Sequence, residues 1–317
     1  MNKRIYCALA AALCICMAVC GCAKEAPVAA GQYEEGENSE AGLRRTVLYY
    51  QDDDGFIVPV MKLIPWEEGI GKAALSNLVD TKENRAAATA LGLKTTIPEG
   101  VEYTLRIRDD GVATIDLKGL TALPDKSSEQ AMVTSIVNSL AEFPAIDAVT
   151  ITLNGEKVTK LPNGTELKEA MKPFMLNAEE GDLSASADGA KPLTLYFANS
   201  SGSLNVPVTR YCEGGTGFKT AVEELIKGPD SAALMNSFPE GTELLSAELY
   251  DGVARVDLSG EFLAAQYVDG MAETAFDTLF LTASAIDDVY ELDLFVEGEP
   301  CALTVNCMAP MYANTFQ

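Results

Sequence analysis

Hydrophobic residues recur along the chain at two spacings, and the order of those spacings occurs twice. A spacing of two is typical of strands, and a spacing of three to four is typical of amphipathic helices. The first half predicts a strand, a helix, two strands, a helix and a strand at residues 46–50, 70–78, 101–108, 112–117, 128–140 and 148–153. The second half predicts the same series at residues 193–198, 216–227, 243–250, 253–258, 270–285 and 290–296. Both halves therefore follow the order β-α-β-β-α-β.

Three shorter segments complete this prediction. Residues 56–60 are expected to form a short extended piece at a sheet edge, because Pro59 cannot donate a hydrogen bond to a ladder. Residues 82–93 predict a further helical turn or two, which the second half shortens. The Glu297-Gly298 turn predicts a closing strand at residues 301–305.

The two halves are copies of one unit. Residues 110–119 and 251–260 share seven of ten residues, and Val-Pro-Val occurs at 58–60 and at 206–208. Repeats of about 110 residues are domain-sized. We therefore predict an α+β fold of two tandem β-α-β-β-α-β repeats, each a mixed sheet with helices packed on one face. The predicted domains span residues 46–177 and 192–317, with a polar linker at residues 178–191.

The first 45 residues predict export and anchoring. Lys3 and Arg4 precede an apolar run, too short for a comfortable membrane span, that ends in Val-Cys-Gly-Cys at 19–22. This ending resembles the lipobox of bacterial lipoproteins, which implies a signal peptide at residues 1–21 and a lipid on the thiol of Cys22. Residues 22–45 then predict a flexible acidic tether, so the domains would stand at the outer face of the cytoplasmic membrane. An uncleaved anchor is the alternative, with the domains on the same side.

A large excess of acidic residues limits the partners. The 317-residue chain has a formal net charge of −24, and loss of Lys3 and Arg4 with the signal peptide would make it −26. Such a surface repels phosphate backbones and anionic headgroups. We therefore expect no nucleic-acid partner, and we expect the lipid to hold the protein at the membrane.

The residue types of common reactive centres are missing. The chain has no histidine, which excludes Ser-His-Asp and Cys-His centres and His-based metal sites. No phosphate-binding glycine motif follows a predicted strand. The acidic run 52–54 before Gly55 is typical of a calcium loop, but Leu63 stands where such a loop needs Glu, so a solvated turn is favoured. We therefore predict no catalytic residue, no cofactor and no metal.

Three cysteines follow Cys22, namely Cys212, Cys301 and Cys307. In one extended strand, Cys301 and Cys307 would lie ~20 Å apart, beyond the reach of a disulfide. A bridge from Cys212 to either one stays open, and three buried free thiols are the favoured interpretation.

Two pairs of charged residues occupy matched positions in the repeats. Asp116 and Asp257 lie between apolar neighbours in corresponding strands, and a paired-carboxylate site like that of a glycosidase is conceivable. Structural roles at turns or edges are favoured, because equivalent positions in separate domains rarely meet. Lys62 and Arg210 both follow Val-Pro-Val, and internal ion pairing is favoured over a contact with another protein.

The second repeat also resembles a known family. Its motifs are Leu-Tyr-Phe at 195–197, Val-Pro-Val-Thr-Arg at 206–210, Ala-Val-Glu-Glu-Leu-Ile-Lys-Gly-Pro at 221–229, Phe-Pro-Glu-Gly-Thr at 238–242 and Asp-Gly-Val-Ala-Arg-Val-Asp-Leu-Ser at 251–259. In combination they resemble the GerM domain over residues 193–299. Residues 46–156 are a looser copy, with Asp80-Thr81 in place of Gly228-Pro229.

This resemblance implies a membrane-tethered envelope lipoprotein that acts in spore formation and germination. It also implies an assembly across the two membranes of the developing spore and a fold similar to side-by-side ring-building motifs. No catalytic residue comes with the family. We therefore predict a non-enzymatic scaffold or assembly component that contacts envelope or sporulation-complex proteins, with homo-oligomerisation as an option. The alternatives are an accessory subunit of a cell-wall hydrolase and a solute-binding lipoprotein with a ligand cleft between the repeats.

Overall fold

The computed structural model describes residues 42–66, 69–179, 189–213 and 215–316. The predicted signal peptide, Cys22 and most of the predicted tether lie outside these residues. No helix in the described ranges combines the length and the apolar character that crossing a membrane requires.

The first repeat contains two sheets. Its elements are β1 (Leu43–Asp52), β2 (Ile57–Pro65), α1 (Ile70–Ser76), α2 (Lys82–Thr89), β3 (Leu93–Lys94), β4 (Glu102–Ile107), β5 (Val112–Lys118), α3 (Lys126–Ala141), β6 (Ala148–Leu153) and β7 (Glu156–Lys157). A three-stranded antiparallel sheet has the order β2-β1-β3, and a four-stranded sheet has the order β4-β5-β6-β7. The second sheet is mixed because β5 and β6 are parallel, and α3 connects them in the sequence.

The second repeat has the same organisation. Its elements are β8 (Lys191–Asn199), β9 (Asn205–Cys212), α4 (Phe218–Lys227), β10 (Leu234–Met235), β11 (Leu244–Tyr250), β12 (Val253–Leu258), a 3-10 helix (Gly260–Tyr267), α5 (Met271–Ser284), β13 (Glu291–Val296), β14 (Glu299–Pro300) and a 3-10 turn (Ala302–Thr304). The sheets have the orders β10-β8-β9 and β11-β12-β13-β14, and β12 is parallel to β13. The predicted fold class is confirmed.

Helix α3 shows how the sequence sets an element boundary. Its predicted start was residue 128, but it begins at Lys126 because the carboxylate of Asp125 accepts the backbone N–H of Ser128 at 2.7 Å. A side-chain oxygen at this position satisfies a donor that the first helical turn leaves free. The apolar face then buries Met132, Ile136 and Leu140.

The predicted closing strand at 301–305 is wrong. The chain leaves the ladder after Cys301, whose carbonyl accepts the N–H of Thr304 at 3.3 Å and starts the 3-10 turn. Pro300, which faces Phe295 in the ladder, has no N–H with which to extend it. Cys301 and Cys307 therefore do not share a strand. Cys212 and Cys301 are buried, Cys307 is half-buried, and all three are free thiols.

Two other boundaries differ from the prediction. The short edge piece expected at 56–60 is the nine-residue strand β2, with Pro59 inside it. The linker predicted at 178–191 is shorter, because Ala178 and Glu179 already pair with Thr209 and Lys191 already belongs to β8.

One hydrophobic core continues through both repeats. It includes Leu48 and Val58 of the first hairpin together with Leu195 and Val206 of the second. Strands β2 and β9, which are equivalent by the repeat, pack against each other. The two repeats thus meet along matched strands.

Candidate functional site at the junction of the repeats

A buried hydroxyl on a helix supports the central strand of each junction hairpin. Ser139 of α3 accepts the backbone N–H of Tyr49 at 3.0 Å, and Thr282 of α5 accepts that of Tyr196 at the same distance. Tyr49 lies opposite Pro59 in the ladder, and Tyr196 lies opposite Pro207. The tyrosine N–H groups therefore bond to a helix and not to the proline-bearing strand, as in a non-hydrogen-bonded pair of an antiparallel ladder. Such a pair requires no N–H from the opposite residue, so a proline is tolerated there.

The segment that follows each repeat crosses to the other repeat. The amide of Asn177 accepts the N–H of Ile57 at 2.8 Å and donates to the carbonyls of Ile57 and Pro207 at 2.8 and 2.7 Å. Asn314 makes the matched set, because it accepts the N–H of Asn205 at 2.8 Å and donates to the carbonyls of Asn205 and Pro59 at 2.8 and 2.9 Å. Each asparagine thus joins the edge strand of its own repeat to that of the other.

Backbone hydrogen bonds extend the same exchange. Met61 of β2 donates its N–H to Asn314 at 2.8 Å and accepts that of Phe316 at 2.9 Å. Thr209 of β9 donates to Leu176 at 3.0 Å and accepts from Glu179 at 3.0 Å. Both contacts are parallel bridges at the outer edges of the three-stranded sheets. We call residues 176–179 and 313–316 the exchanged tails.

The matched basic residues stand beside these tails, but their contacts differ. Arg210 makes a two-pronged ion pair with Glu179 at 2.6 and 3.1 Å and also donates to the carbonyls of Glu224 and Gly228 at the end of α4. Lys62 has no described ion pair, and its ammonium lies 4.7 Å from the ring centroid of Phe316. Burial lowers the pKa of Lys62. Arg210 is thus internally paired, whereas Lys62 makes a cation–π contact with the exchanged tail.

The matched aspartates hold turns. Asp116 accepts the N–H of Gly155 at 2.6 Å and the hydroxyl of Thr152 at 2.8 Å, and Asp257 accepts the N–H of Gly298 at 3.1 Å. Each turn places its first residue, Asn154 or Glu297, at positive φ before the glycine. A carboxylate that accepts the glycine N–H stabilises this backbone geometry. These contacts give Asp116 and Asp257 structural roles at their turns.

A half-buried acid lies at the junction. The carboxylate of Glu142, at the end of α3, accepts the hydroxyl of Tyr49 at 2.6 Å. Burial raises the pKa of Glu142 to about 7, against a smaller lowering by the tyrosine hydrogen bond. Burial and the neighbouring Glu142 raise the pKa of Tyr49. Burial, with a smaller contribution from the charge of Glu142, also raises the pKa of Tyr312 in the last segment.

This acid predicts a pH dependence that Glu142→Gln should remove. Because the folded-state pKa exceeds the unfolded one, the folded protein binds the proton more tightly, and its stability falls as the pH rises from about 4.5 to 7. A full shift corresponds to about 3 kcal/mol, and partial exposure of Glu142 reduces our expectation to about 1–2 kcal/mol. Urea midpoints at pH 5 and 8 should therefore converge in the variant, whereas exposed Glu102→Gln should keep the wild-type difference. Equal pH dependence in the wild type and Glu142→Gln would contradict the assignment.

No group of three or more metal-ligating side chains occurs within the described parts of the chain. The sites that sequence reasoning missed are Asn177 and Asn314. Their segments, Met-Leu-Asn-Ala at 175–178 and Tyr-Ala-Asn-Thr at 312–315, share only the asparagine, which is too little to extend the repeat. The one available signal was an Asn near the end of each predicted domain.

Two α+β repeats joined by exchanged tails define a tandem-module protein, and comparison with known proteins identifies the family. The family model called Germane, described as sporulation and spore germination, matches residues 47–159 and 194–302. The chain belongs to this family. It is 28% identical over 225 residues to the spore germination protein GerM of Bacillus subtilis strain 168, covering 67% of this chain and 60% of that protein.

A solved structure of the tandem GerMN domains of the sporulation protein GerM from Bacillus subtilis has the same fold. It superposes with a TM-score of 0.67 and 24% sequence identity, covering 87% of this chain and 100% of that one. The predicted GerM resemblance and the two-repeat architecture are therefore confirmed.

Proposed function

We propose that this protein is a non-catalytic scaffold or assembly component in spore formation or germination. Its family and its likeness to the spore germination protein GerM support the spore-related role. The chain spans about 60% of that relative's length. That this chain has the role of the whole relative is therefore part of the proposal.

The observation that carries the scaffold role is the reciprocal exchange of tails. Because each repeat is fastened through the segment that follows the other, the two modules form one unit with equivalent edges in fixed positions. Strands β4 and β11 stand at the outer edges of the four-stranded sheets. Ile107, Leu245 and Tyr250 on these strands are exposed apolar residues. An open strand edge with exposed apolar side chains can accept a strand or a side-by-side copy.

Attachment through a lipid on Cys22 is the second part of the proposal. It would place the domains outside the cytoplasmic membrane, next to envelope or sporulation-complex partners. The sequence around residues 19–22 supports this attachment.

A complementation experiment tests both parts. We expect the full-length chain, produced in Bacillus subtilis without its own GerM, to restore heat-resistant spores and to stay in the membrane fraction. Cys22→Ala should be released from membranes and restore at least tenfold fewer spores, whereas Cys14→Ala, within the same signal segment, should match the wild type. Full restoration by a released Cys22→Ala protein would contradict the anchor.

The size of the full-length protein in detergent provides a separate test of assembly. We expect its sedimentation coefficient to rise with concentration, and Tyr250→Lys on β11 to reduce this rise by placing a charge on the edge strand. Tyr290→Lys, an exposed tyrosine outside β11, serves as the matched control. A concentration-independent monomer that does not restore spores would contradict the scaffold role.

A further inference from the structure

A groove opens where the two hairpin turns and the second exchanged tail come together. Its volume is about 860 Å³, within the range of ligand-binding clefts. Asp52 at the end of β1 lines it with Asp53 and Asp54 of the following turn, and residues 199–205 line it from the end of β8 to the start of β9. Asp277 of α5 and residues 312–315 of the last segment complete the wall. Among the residues that the structure describes, four aspartates line this groove and no lysine or arginine does.

Comparison of the two turns shows that a neutral asparagine can accept the turn hydrogen bonds at the position of Asp52. One carboxylate oxygen of Asp52 accepts the N–H groups of Asp54 and Phe56 at 3.0 and 2.8 Å. At the matched position, the neutral amide oxygen of Asn199 accepts those of Ser203 and Leu204 at 3.0 and 3.1 Å. An asparagine therefore satisfies this turn, and the second oxygen of Asp52 has no role in it.

That second oxygen is buried without a partner. Asp52 is 2% exposed, and its Oδ2 has no hydrogen-bond partner among the described residues. Burying an unpaired carboxylate oxygen costs free energy unless a donor or a cation reaches it. The burial also raises the pKa of Asp52. Asp52 is one of the residues that line the groove.

Asp277 of the other repeat adds a half-buried carboxyl to the same groove. Burial and the nearby Glu273 raise the pKa of Asp277 to about 6. Lys94 pairs with Asp53 at 3.2 Å, where both side chains are more than half exposed. Asp52, Asp54 and Asp277 have no ion-pair partner in the ranges that the structure describes. A bound cation would offset the free-energy cost of burying these carboxylates and would reduce the repulsion between them.

We propose that this groove binds a guanidinium or ammonium group on a flexible segment of a partner protein. The walls also carry Asn199, Ser201 and Ser203, whose polar groups suit the backbone amides beside such a side chain. The volume exceeds that of one side chain, so neighbouring residues of the segment enter as well. The choice of a protein-borne cation rests on the proposed scaffold function, whereas the preference for a cation rests on the groove alone.

Peptide titration of the full-length protein tests the site. We expect the pentapeptide Gly-Gly-Arg-Gly-Gly to bind at least tenfold more tightly than its citrulline counterpart, which keeps the shape without the charge. Asp277→Asn and Asp52→Asn should each weaken binding at least threefold, and Asp52→Asn should stay folded because Asn199 performs the same turn role. Glu102→Gln removes a carboxylate from β4 and should bind as the wild type does. Calorimetry at low salt measures these affinities.

The outcomes separate the two proposals. Equal binding of the arginine and citrulline peptides, or unchanged binding by Asp52→Asn/Asp277→Asn, would overturn the cation site while leaving the scaffold role intact. Spermidine binding as tightly as the arginine peptide would overturn the protein-borne source and favour a solute-binding role. Failure of spore complementation together with the expected peptide pattern would reject the scaffold role and retain the cation site.

Discussion

Arg210→Met is expected to lower the free energy of unfolding by about 3–5 kcal/mol, the usual result of removing one partner of a buried ion pair. The side chains of Arg210 and Glu179 are 12% and 8% exposed, and their pairing ties the first exchanged tail to β9. Without Arg210, the carboxylate of Glu179 would keep one hydrogen bond among the described residues, from the N–H of Asp230 at 3.0 Å. The carbonyls of Glu224 and Gly228 would also lose a charged donor. Urea unfolding at pH 7 measures the loss.

The repeat itself supplies the matched control for this experiment. Lys62→Met changes the equivalent residue of the first repeat, but Lys62 contacts Phe316 and pairs with no carboxylate among the described residues. We expect this variant to lose less than about 1 kcal/mol, since it removes a cation–π contact and keeps the apolar packing. Adding Glu179→Gln to Arg210→Met should recover part of the loss by removing the unpaired charge. Similar losses for Lys62→Met and Arg210→Met would contradict the buried ion-pair role.

The difference between Lys62 and Arg210 shows that the sequence could predict the positions of these residues but not their contacts. Repetition of Val-Pro-Val followed by a base was sufficient to predict equivalent positions on equivalent strands. It could not predict the partners, because these lie on the exchanged tails, where Glu179 in one copy corresponds to Phe316 in the other. The contact of each base depends on a segment that follows the repeat unit.

Local elements were predictable because local patterns determine them. The strands β6 and β12 coincide with their predicted bounds, since alternating apolar residues and glycine turns define both. The sequence pattern did not show that each hairpin forms its own three-stranded sheet. Nor did it show that Ser139 and Thr282 accept an N–H of the central strand. These two residues lie on apolar helix faces, where a lone hydroxyl gives no distinguishing sequence signal.

The acidic run at 52–54 illustrates the same limit for a candidate site. A solvated turn was expected for all three residues; Asp53 and Asp54 lie in a turn, but Asp52 is the last residue of β1 and is buried. At the junction, the turn after β8, the exchanged tail and α5 line one groove with Asp52. Contacts between distant segments of this kind cannot be predicted from the spacing of acids in a loop.

Removing the asparagines of the exchanged tails should destabilise the fold: we expect Asn314→Ala to lower the free energy of unfolding by about 3 kcal/mol and Asn177→Ala by about 2 kcal/mol. Each change leaves one N–H and two carbonyls without a partner, and Asn314 is the more buried of the two residues. Hydrogen exchange should locate each effect, with Asn314→Ala exposing the amide of Met61 and Asn177→Ala that of Thr209. The double variant should lose about 1 kcal/mol less than the sum, since both residues hold one junction. Exposed Asn306→Ala should change stability by less than about 0.5 kcal/mol. Unchanged exchange at Met61 and Thr209 would show that the tails do not fasten the repeats.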